Sequence, residues 1–312
     1  MVFFRFLLVG CIVLLASCSF LNGEGNRLSY VFIQKGDYLF LSDDEEIIYY
    51  QFNKPDKTLK LSKKLKEISG LTYNSNAQTL LTINDEQGLI FEIDPDKGKI
   101  LNETRFGLDG DYEGIAREGK YIYVTESNGD IHRFNTLTNK SETILTPLSS
   151  VNNVEGLYYD SGKHRLLIAC KGKVLEGGAS RGQRAVYKFN LKKSKFSESP
   201  FILLRREKIL DYLDERGGDL KKESLKEYKQ RVRYFSPSGI AIHPLNGDIY
   251  LLSARGNMLL ILNKNKQISQ LVFFDKSIVP QPEGICFDQE GNLFIGSEGK
   301  SKAGKLFVFK IS

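Results

Sequence analysis

Five segments of the chain share one pattern, in which a small or acidic residue precedes a glycine, an apolar stretch, a polar turn and two further strand-like stretches. The shared glycines are Gly70, Gly114, Gly156, Gly239 and Gly284. Successive glycines are 44, 42, 83 and 45 residues apart, so one unit carries a long insertion. A repeat of about 40 residues with several short strands is typical of a β-propeller blade. The repeat therefore predicts a β-propeller.

Five repeats predict an all-β fold, a five-bladed β-propeller, with residues 28–312 as a single domain. A propeller must close its ring, and we expect the strand-like stretch IIYYQF, residues 47–52, to complete the last blade. If residues 28–65 formed most of a blade, the propeller would instead have six blades. Turn sequences such as Asn246-Gly247-Asp248 separate the expected strands.

The insertion near residues 203–235 has helical character. Leu225, Tyr228, Val232 and Phe235 recur at helical spacing, and Gly217-Gly218 interrupts the pattern. This predicts a helical insertion with two alternative roles. It is either a hairpin packed on a blade, or a lid or docking element over one face of the propeller, since long loops often carry function.

The first residues resemble a secretory signal. Arg5 precedes an apolar run, residues 6–16, that is too short for a comfortable membrane span. The run ends in Leu15-Ala16-Ser17-Cys18, which looks like a bacterial lipobox. We therefore expect residues 1–17 to be a lipoprotein signal peptide. An uncleaved anchor helix is the alternative.

This interpretation makes Cys18 the lipidation site, residues 18–27 a tether and the membrane a partner through the lipid. It places the protein in the bacterial cell envelope, with the outer membrane as the expected location. Whether the domain faces the periplasm or the cell surface stays open.

Charge and cysteine content limit the partners and the cross-links that we expect for this protein. The formal charge is only +6 and the basic residues are scattered, so we expect no nucleic-acid partner. Apart from Cys11 and Cys18, the chain has Cys170 and Cys286, each in an apolar strand-like run. Two separate buried thiols are expected, and a disulfide between them is the alternative.

The residues that precede the five glycines are Ser69, Glu113, Glu155, Ser238 and Glu283. The first strand of a blade usually lines the central channel, so three carboxylates are expected to converge there. Alignment of the second-strand ends adds Asp85, Glu126 and Glu298 at one level, beside Cys170 and Ala254, with Lys171 and Arg255 following directly.

Converging carboxylates without His or Cys suit a hard cation, calcium or magnesium. We take calcium as the probable cofactor, and the predicted metal ligands are Glu113, Glu155, Glu283, Asp85, Glu126 and Glu298. Lys171 and Arg255 are predicted to bind an anionic ligand. Alternatively, the acids cap strand ends or pair with these two bases, which then only neutralise the acidic ring.

Several of these phrases resemble the SdiA-regulated family, which is distantly similar to NHL-repeat propellers. They are EISGLTYNSNAQTLLTINDEQGLIFEID from Glu67, then DYEGIA, VEGLYYD, PSGIAIHP and PEGICFDQEGNLFIGSEG. The resemblance covers the chain from about Tyr50 onward, apart from the insertion. It implies a five-bladed propeller, exported or membrane-associated, with a calcium site, and it implies no particular reaction.

These observations predict a membrane-anchored calcium-binding β-propeller that binds a ligand or protein partner in the cell envelope. The alternative is a calcium-dependent hydrolase of esters, lactones or phosphates at the propeller axis. An interaction scaffold without a metal is a third possibility. His132 and His243 are expected to be structural, so the catalytic residues of a hydrolase stay unassigned.

Overall fold

The computed structural model describes residues 39–42, 48–175, 182–217, 220–299 and 302–311. The predicted signal peptide, Cys18 and the tether lie outside the described residues. Two strands precede the first repeat, β1 (Leu39–Ser42) and β2 (Lys57–Lys60). Each repeat then forms one antiparallel sheet, and we number these sheets blades 1 to 5 in chain order.

In each blade the strands lie in chain order from the axis outward, apart from the added N-terminal strands. Blade 1 contains β3 (Ile68–Asn74), β4 (Thr79–Asn84), β5 (Leu89–Ile93) and β6 (Ile100–Arg105). Blade 2 contains β7 (Tyr112–Glu118), β8 (Tyr121–Glu126), β9 (Ile131–Asn135) and β10 (Lys140–Ile144). Blade 3 contains β11 (Val154–Asp160), β12 (Arg165–Cys170), β13 (Gln183–Asn190) and β14 (Lys195–Arg205).

Blades 4 and 5 each include one N-terminal strand. Blade 4 contains β15 (Gly239–Ile242), β16 (Ile249–Ser253), β17 (Met258–Leu262) and β18 (Ile268–Phe273), with β1 as its outermost strand. Blade 5 contains β19 (Pro282–Phe287), β20 (Leu293–Ser297) and β21 (Lys305–Phe309), with β2 outermost. The described residues thus form five blades, as predicted, and not six. Short 3-10 turns cover Lys63–Leu65 and Ser161–Lys163.

The closing strand differs from the prediction. The outer strand of blade 5 is β2, whereas residues 48–52 of the stretch IIYYQF form no strand. Tyr50 and Phe52 are instead buried in the apolar cluster between blades 4 and 5. The apolar pattern of this stretch therefore reflects burial of aromatic rings rather than strand pairing.

The first strand of each blade is the innermost, and neighbouring innermost strands contact one another around the ring. Glycine is required there because the backbones approach closely. A Cβ on Gly70 would lie 2.6 Å from the Ile115 nitrogen, and one on Gly284 would lie 2.6 Å from the Ser69 oxygen. These distances are too short for any side chain, which explains the repeated glycine.

The insertion forms α1 (Arg206–Arg216) and α2 (Lys222–Arg233) between blades 3 and 4. Tyr228, Val232 and Phe235, three of the residues at helical spacing, are buried in one cluster with strands of both blades. The Tyr212 hydroxyl donates to the Ser269 carbonyl oxygen at 2.5 Å. The described helices therefore pack as a hairpin against blades 3 and 4.

The structure describes two of the cysteines and both helices of the insertion. Cys170 and Cys286 are both buried and free, which confirms the expectation of two separate thiols. Across the described ranges, neither helix has the length and apolar content needed to cross a membrane.

Candidate functional site

Three of the repeats have a Glu directly before the shared glycine, and we call these pairs the Glu-Gly steps. Each Glu-Gly step contains a β-bulge. Tyr112 pairs with Glu126 and Gly114 with Thr125, so Glu113 is an extra residue in β7 with no partner in β8. Glu155 and Glu283 occupy the same position in β11 and β19. A bulge changes the direction of the side chain of its extra residue. This explains how an acid near the start of the innermost strand can face the channel. We call this end of the channel the mouth, and the opposite end the far end.

Three bulged carboxylates share the mouth, and their hydrogen bonds are unequal. The Ser69 hydroxyl donates to Glu113 Oε2 at 3.1 Å. Glu155 Oε1 accepts from Lys171 Nζ at 2.6 Å and from Asn153 Nδ2 at 3.2 Å. No described residue donates a hydrogen bond to the Glu283 carboxylate. The mouth therefore holds three acids, of which only one has a basic partner.

The burial of these acids changes their proton affinity. Burial, followed by the Glu155 charge, raises the pKa of Glu113 to about 8. Burial also raises the pKa of Glu155, despite the opposing effect of Lys171. For Glu283, burial and then the charges of Glu155 and Glu298 raise the pKa well above its usual range. Titratable groups whose pKa values are perturbed in this way cluster at functional sites.

At the ends of the second strands, the structural register differs from the sequence alignment by one residue in two blades. Glu126 and Cys170 pair with the residue before the bulge, as Asn84 and Ser297 do in their blades. The residues that follow those four positions are Asp85, Ser127, Lys171 and Glu298. Lys171 therefore occupies the level that Asp85 and Glu298 occupy, which explains how its ammonium reaches Glu155.

Glu126 does not join the mouth acids through its side chain. Its Oε1 lies 2.7 Å from His132 Nε2, and its Oε2 accepts from Asn128 Nδ2 at 3.1 Å. Asp85 and Glu298 lie within electrostatic range of each other. Burial, then the charge of Glu67, raises the pKa of Asp85 to about 6. The Asp85 Oδ1 atom is buried and has no hydrogen-bond partner among the described residues.

Lys171 and Arg255 have different surroundings, although both were predicted to bind a ligand. Burial alone would lower the pKa of Lys171, but Glu155, Glu283 and Glu113 raise it overall. Arg255 is exposed in the turn after β16, where its charge acts on Arg184 and Arg206. Lys171 thus belongs to the acidic mouth, and Arg255 belongs to a group of arginines.

Sequence reasoning missed a set of polar residues two positions before each step. Asp111, Asn153 and Gln281 each accept a backbone N–H from the residue after the second strand of the same blade. Asn153 and Gln281 also direct side-chain amides to Glu155 and Glu298. Their φ angles are 47° and 38°, a backbone region that few residues adopt. The phrases NVEG and QPEG, with an amide two residues before Glu, held this signal.

The donor chemistry at the mouth fits a hard cation, since the oxygens come from carboxylates and the acids outnumber the single lysine. The unpartnered Asp85 Oδ1 is a further oxygen of this kind. In the described part of the chain, however, no three His, Cys, Asp or Glu side chains form a group that could hold a metal ion. The residues fit calcium by chemistry and charge, and they do not form a preassembled coordination shell.

Residues 46–173 and 198–301 match the sequence profile of the SdiA-regulated family. The chain belongs to the SdiA-regulated family. The match excludes residues 174–197, a span that contains β13 and the first residues of β14, and it confirms the resemblance on most of the propeller. A search of curated proteins gives no match.

Solved structures similar to this family member are propellers of low sequence identity. The Myxococcus xanthus glutaminyl cyclase is 12% identical with a TM-score of 0.52, covering 83% of this chain and 96% of its own. A luciferin-regenerating enzyme is 14% identical with a TM-score of 0.50, covering 82% and 95%. The RRP9 WD40 repeats are 12% identical with a TM-score of 0.50, covering 84% and 100%. At such identities the likeness shows the fold alone.

Proposed function

We propose that this propeller is an envelope binding protein, anchored by lipid on Cys18, that binds calcium at the mouth and captures a ligand or partner protein there. One observation carries the proposal. Three carboxylates, the buried Glu155 and the half-buried Glu113 and Glu283, face one channel end with Lys171 as the nearby base. Buried carboxylates are costly unless a cation or proton compensates them.

Glu155 and Glu283 are the residues that would hold calcium, with Glu113 beside them. Bound calcium would supply positive charge and open coordination positions for an oxygen of the ligand. Lys171 holds Glu155 in the metal-free protein, so the ion competes with its ammonium. Binding therefore requires Glu155 to exchange one cation for another, and Asn153 keeps the carboxylate oriented during that exchange.

Catalysis has less support than binding because each histidine of the chain has a structural partner. His243 Nε2 lies 2.8 Å from the Tyr50 hydroxyl at the far end. His132 lies beside Glu126, and His164 Nδ1 is 3.1 Å from the Tyr159 hydroxyl. The hydrolase alternative would then depend on a mouth carboxylate such as Glu113 as its base.

A calcium titration of the full chain, purified in detergent and treated with chelator, tests the proposal. Calcium at about 100 times its dissociation constant should add roughly 2.7 kcal/mol to the free energy of unfolding. Glu155→Gln should abolish the stabilisation, whereas the matched variant Glu290→Gln, exposed at the far end of blade 5, should keep it.

Two results would overturn this proposal. Calcium that neither binds nor stabilises the wild-type chain would leave the acids as strand-end groups. Stabilisation that survives both Glu155→Gln and Glu283→Gln would place the ion elsewhere. Loss of membrane association in Cys18→Ser separately checks the anchor, because that variant removes the lipidated thiol and leaves the propeller unchanged.

A further inference from the structure

Three arginines from distant parts of the chain lie within electrostatic range of one another at the mouth end, between blades 3 and 4. Arg184 lies at the start of β13, Arg206 is the first residue of α1, and Arg255 is in the turn between β16 and β17. The third strand of blade 3, the helical insertion and blade 4 each contribute one guanidinium. The family match starts again only at residue 198, so Arg184 lies outside it.

These three guanidinium groups act on one another as like charges. Burial, then the charges of Arg206 and Arg255, lower the pKa of Arg184 to about 10. Burial, then Arg255, lowers the pKa of Arg206 as well. Within the described ranges, no carboxylate lies within ion-pair distance of any of the three. By contrast, Arg165 is paired with Asp160 at 2.8 Å.

Their hydrogen bonds leave donors unused. Arg184 Nη1 donates to the Gln183 carbonyl oxygen at 2.6 Å, while its Nε is buried without any acceptor among the described residues. Arg206 Nε donates to the Phe235 carbonyl oxygen at 2.9 Å, which fixes that guanidinium against the end of the insertion. A guanidinium carries five N–H donors, so the group retains several that need an acceptor. A buried donor without an acceptor is unfavourable and rare in native proteins.

A cavity of about 300 Å³ has one member of the cluster, Arg206, in its lining. Arg205, Arg206 and Arg233 contribute to its lining, together with the apolar Leu210 and one acid, Glu207. The first turn of α1 also faces this region, and no side chain caps it, because its N-cap residue is Arg205. Basic side chains and a helix N-terminus together favour an anion.

We propose that Arg184, Arg206 and Arg255 bind the phosphate group of a ligand whose remaining part occupies the adjoining cavity. Planar guanidinium groups match phosphate oxygens with paired hydrogen bonds, which a single ammonium cannot do. The bound phosphate accepts from the buried Arg184 Nε and neutralises three charges that no described carboxylate neutralises. The site is independent of calcium at the mouth and goes beyond the proposed cation site.

Binding of inorganic phosphate to the full chain in detergent, measured by calorimetry in chelator at constant ionic strength, tests this site. Arg255→Gln is the main variant, because Arg255 is exposed and its removal leaves no backbone group unpaired. We expect about a tenfold weaker affinity, as is typical for the loss of one charged hydrogen-bonding group. Lys120→Gln removes the same charge from an exposed far-end turn and should bind phosphate as the wild type does.

Two further ligands identify the source of the phosphate. Tighter binding of glycerol 3-phosphate, a dianionic monoester, indicates a soluble phosphorylated ligand. Tighter binding of glycerophosphoglycerol, a diester, indicates a lipid headgroup. Failure of all three phosphates to bind the wild type overturns the proposal, and so does unchanged affinity in both Arg255→Gln and Arg184→Gln. Because chelator is present throughout, these results do not depend on whether the mouth binds calcium.

Discussion

The mouth and the Tyr50–His243 pair at the far end both bury polar groups, but only the Tyr50–His243 pair has a hydrogen-bond partner for each of its polar atoms. Tyr50 donates to the Gly291 carbonyl oxygen at 2.6 Å and lies 2.8 Å from His243 Nε2. His243 Nδ1 accepts from the Leu245 backbone N–H at 3.2 Å. With Nδ1 accepting and the tyrosine proton used elsewhere, His243 is the neutral tautomer with its proton on Nε2.

At the mouth, by contrast, the three carboxylates outnumber their one basic partner, Lys171. Glu283 has no hydrogen bond from any described residue, and its charge is opposed by Glu155 and Glu298. A complete set of partners stabilises a buried polar group, whereas an incomplete set destabilises the fold and is retained where a ligand completes it. The Tyr50–His243 pair is therefore structural, and the mouth has the features of a binding site.

The largest change in stability is expected from a substitution at the far end. His243→Ala should lower the free energy of unfolding by about 2–4 kcal/mol, since it opens a cavity and leaves the Tyr50 hydroxyl with one partner fewer. Denaturant unfolding measures this change. His164→Asn is the control, because Asn tolerates the φ of 48° found at this exposed turn. A loss below about 1 kcal/mol for His243→Ala would contradict the structural role.

A change of opposite sign is expected at the mouth. Glu283→Gln should raise the free energy of unfolding of the chelated protein by about 1–2 kcal/mol at pH 8, because it removes a carboxyl whose ionisation burial opposes and keeps the side-chain shape. Glu290→Gln, exposed in the same blade, should change it by less than about 0.5 kcal/mol. If Glu283→Gln instead destabilises the chelated protein, the two ends do not differ as described.

The fold was predictable because its determinants are local and repeated. Gly70 and Gly284 recur at the blade period, and each is needed where inner strands meet. Tyr50 and Phe52 misled the prediction, since an apolar stretch buried between blades has the same composition as an apolar strand. Sequence periodicity does not distinguish those two kinds of burial, and the true closing strand, β2, alternates only weakly between apolar and charged residues.

The site was predictable only in part. The repeat predicts Glu113, Glu155 and Glu283, because each precedes the shared glycine of its own repeat. The partner of each acid does not follow, since it depends on a bulge that shifts pairing by one residue. Arg184 and Arg206 stayed unnoticed because they are distant in sequence from Arg255, and Arg206 lies in the insertion rather than in a repeat.

The smallest expected effect is a pH dependence with different causes at the two ends. Glu113 has a folded-state pKa of about 8, above the 4.5 of an ordinary glutamate. The folded chain thus binds more protons than the unfolded chain across this range, and stability decreases as pH rises. His243 behaves oppositely, because burial lowers its pKa from 6.5 to about 4. Its contribution is present above pH 6.5 and is lost as pH falls towards 4.

The chelated protein should accordingly lose up to about 1 kcal/mol of unfolding free energy between pH 7 and pH 8, measured by denaturant titration at each pH. Glu113→Gln should flatten this alkaline decrease and leave the acid branch unchanged. Saturating calcium should flatten it too, since the ion replaces the proton as the compensating charge. An alkaline decrease that persists in Glu113→Gln, Glu283→Gln and Glu155→Gln would assign it to groups outside the mouth, and the contrast between the two ends would then rest on geometry alone.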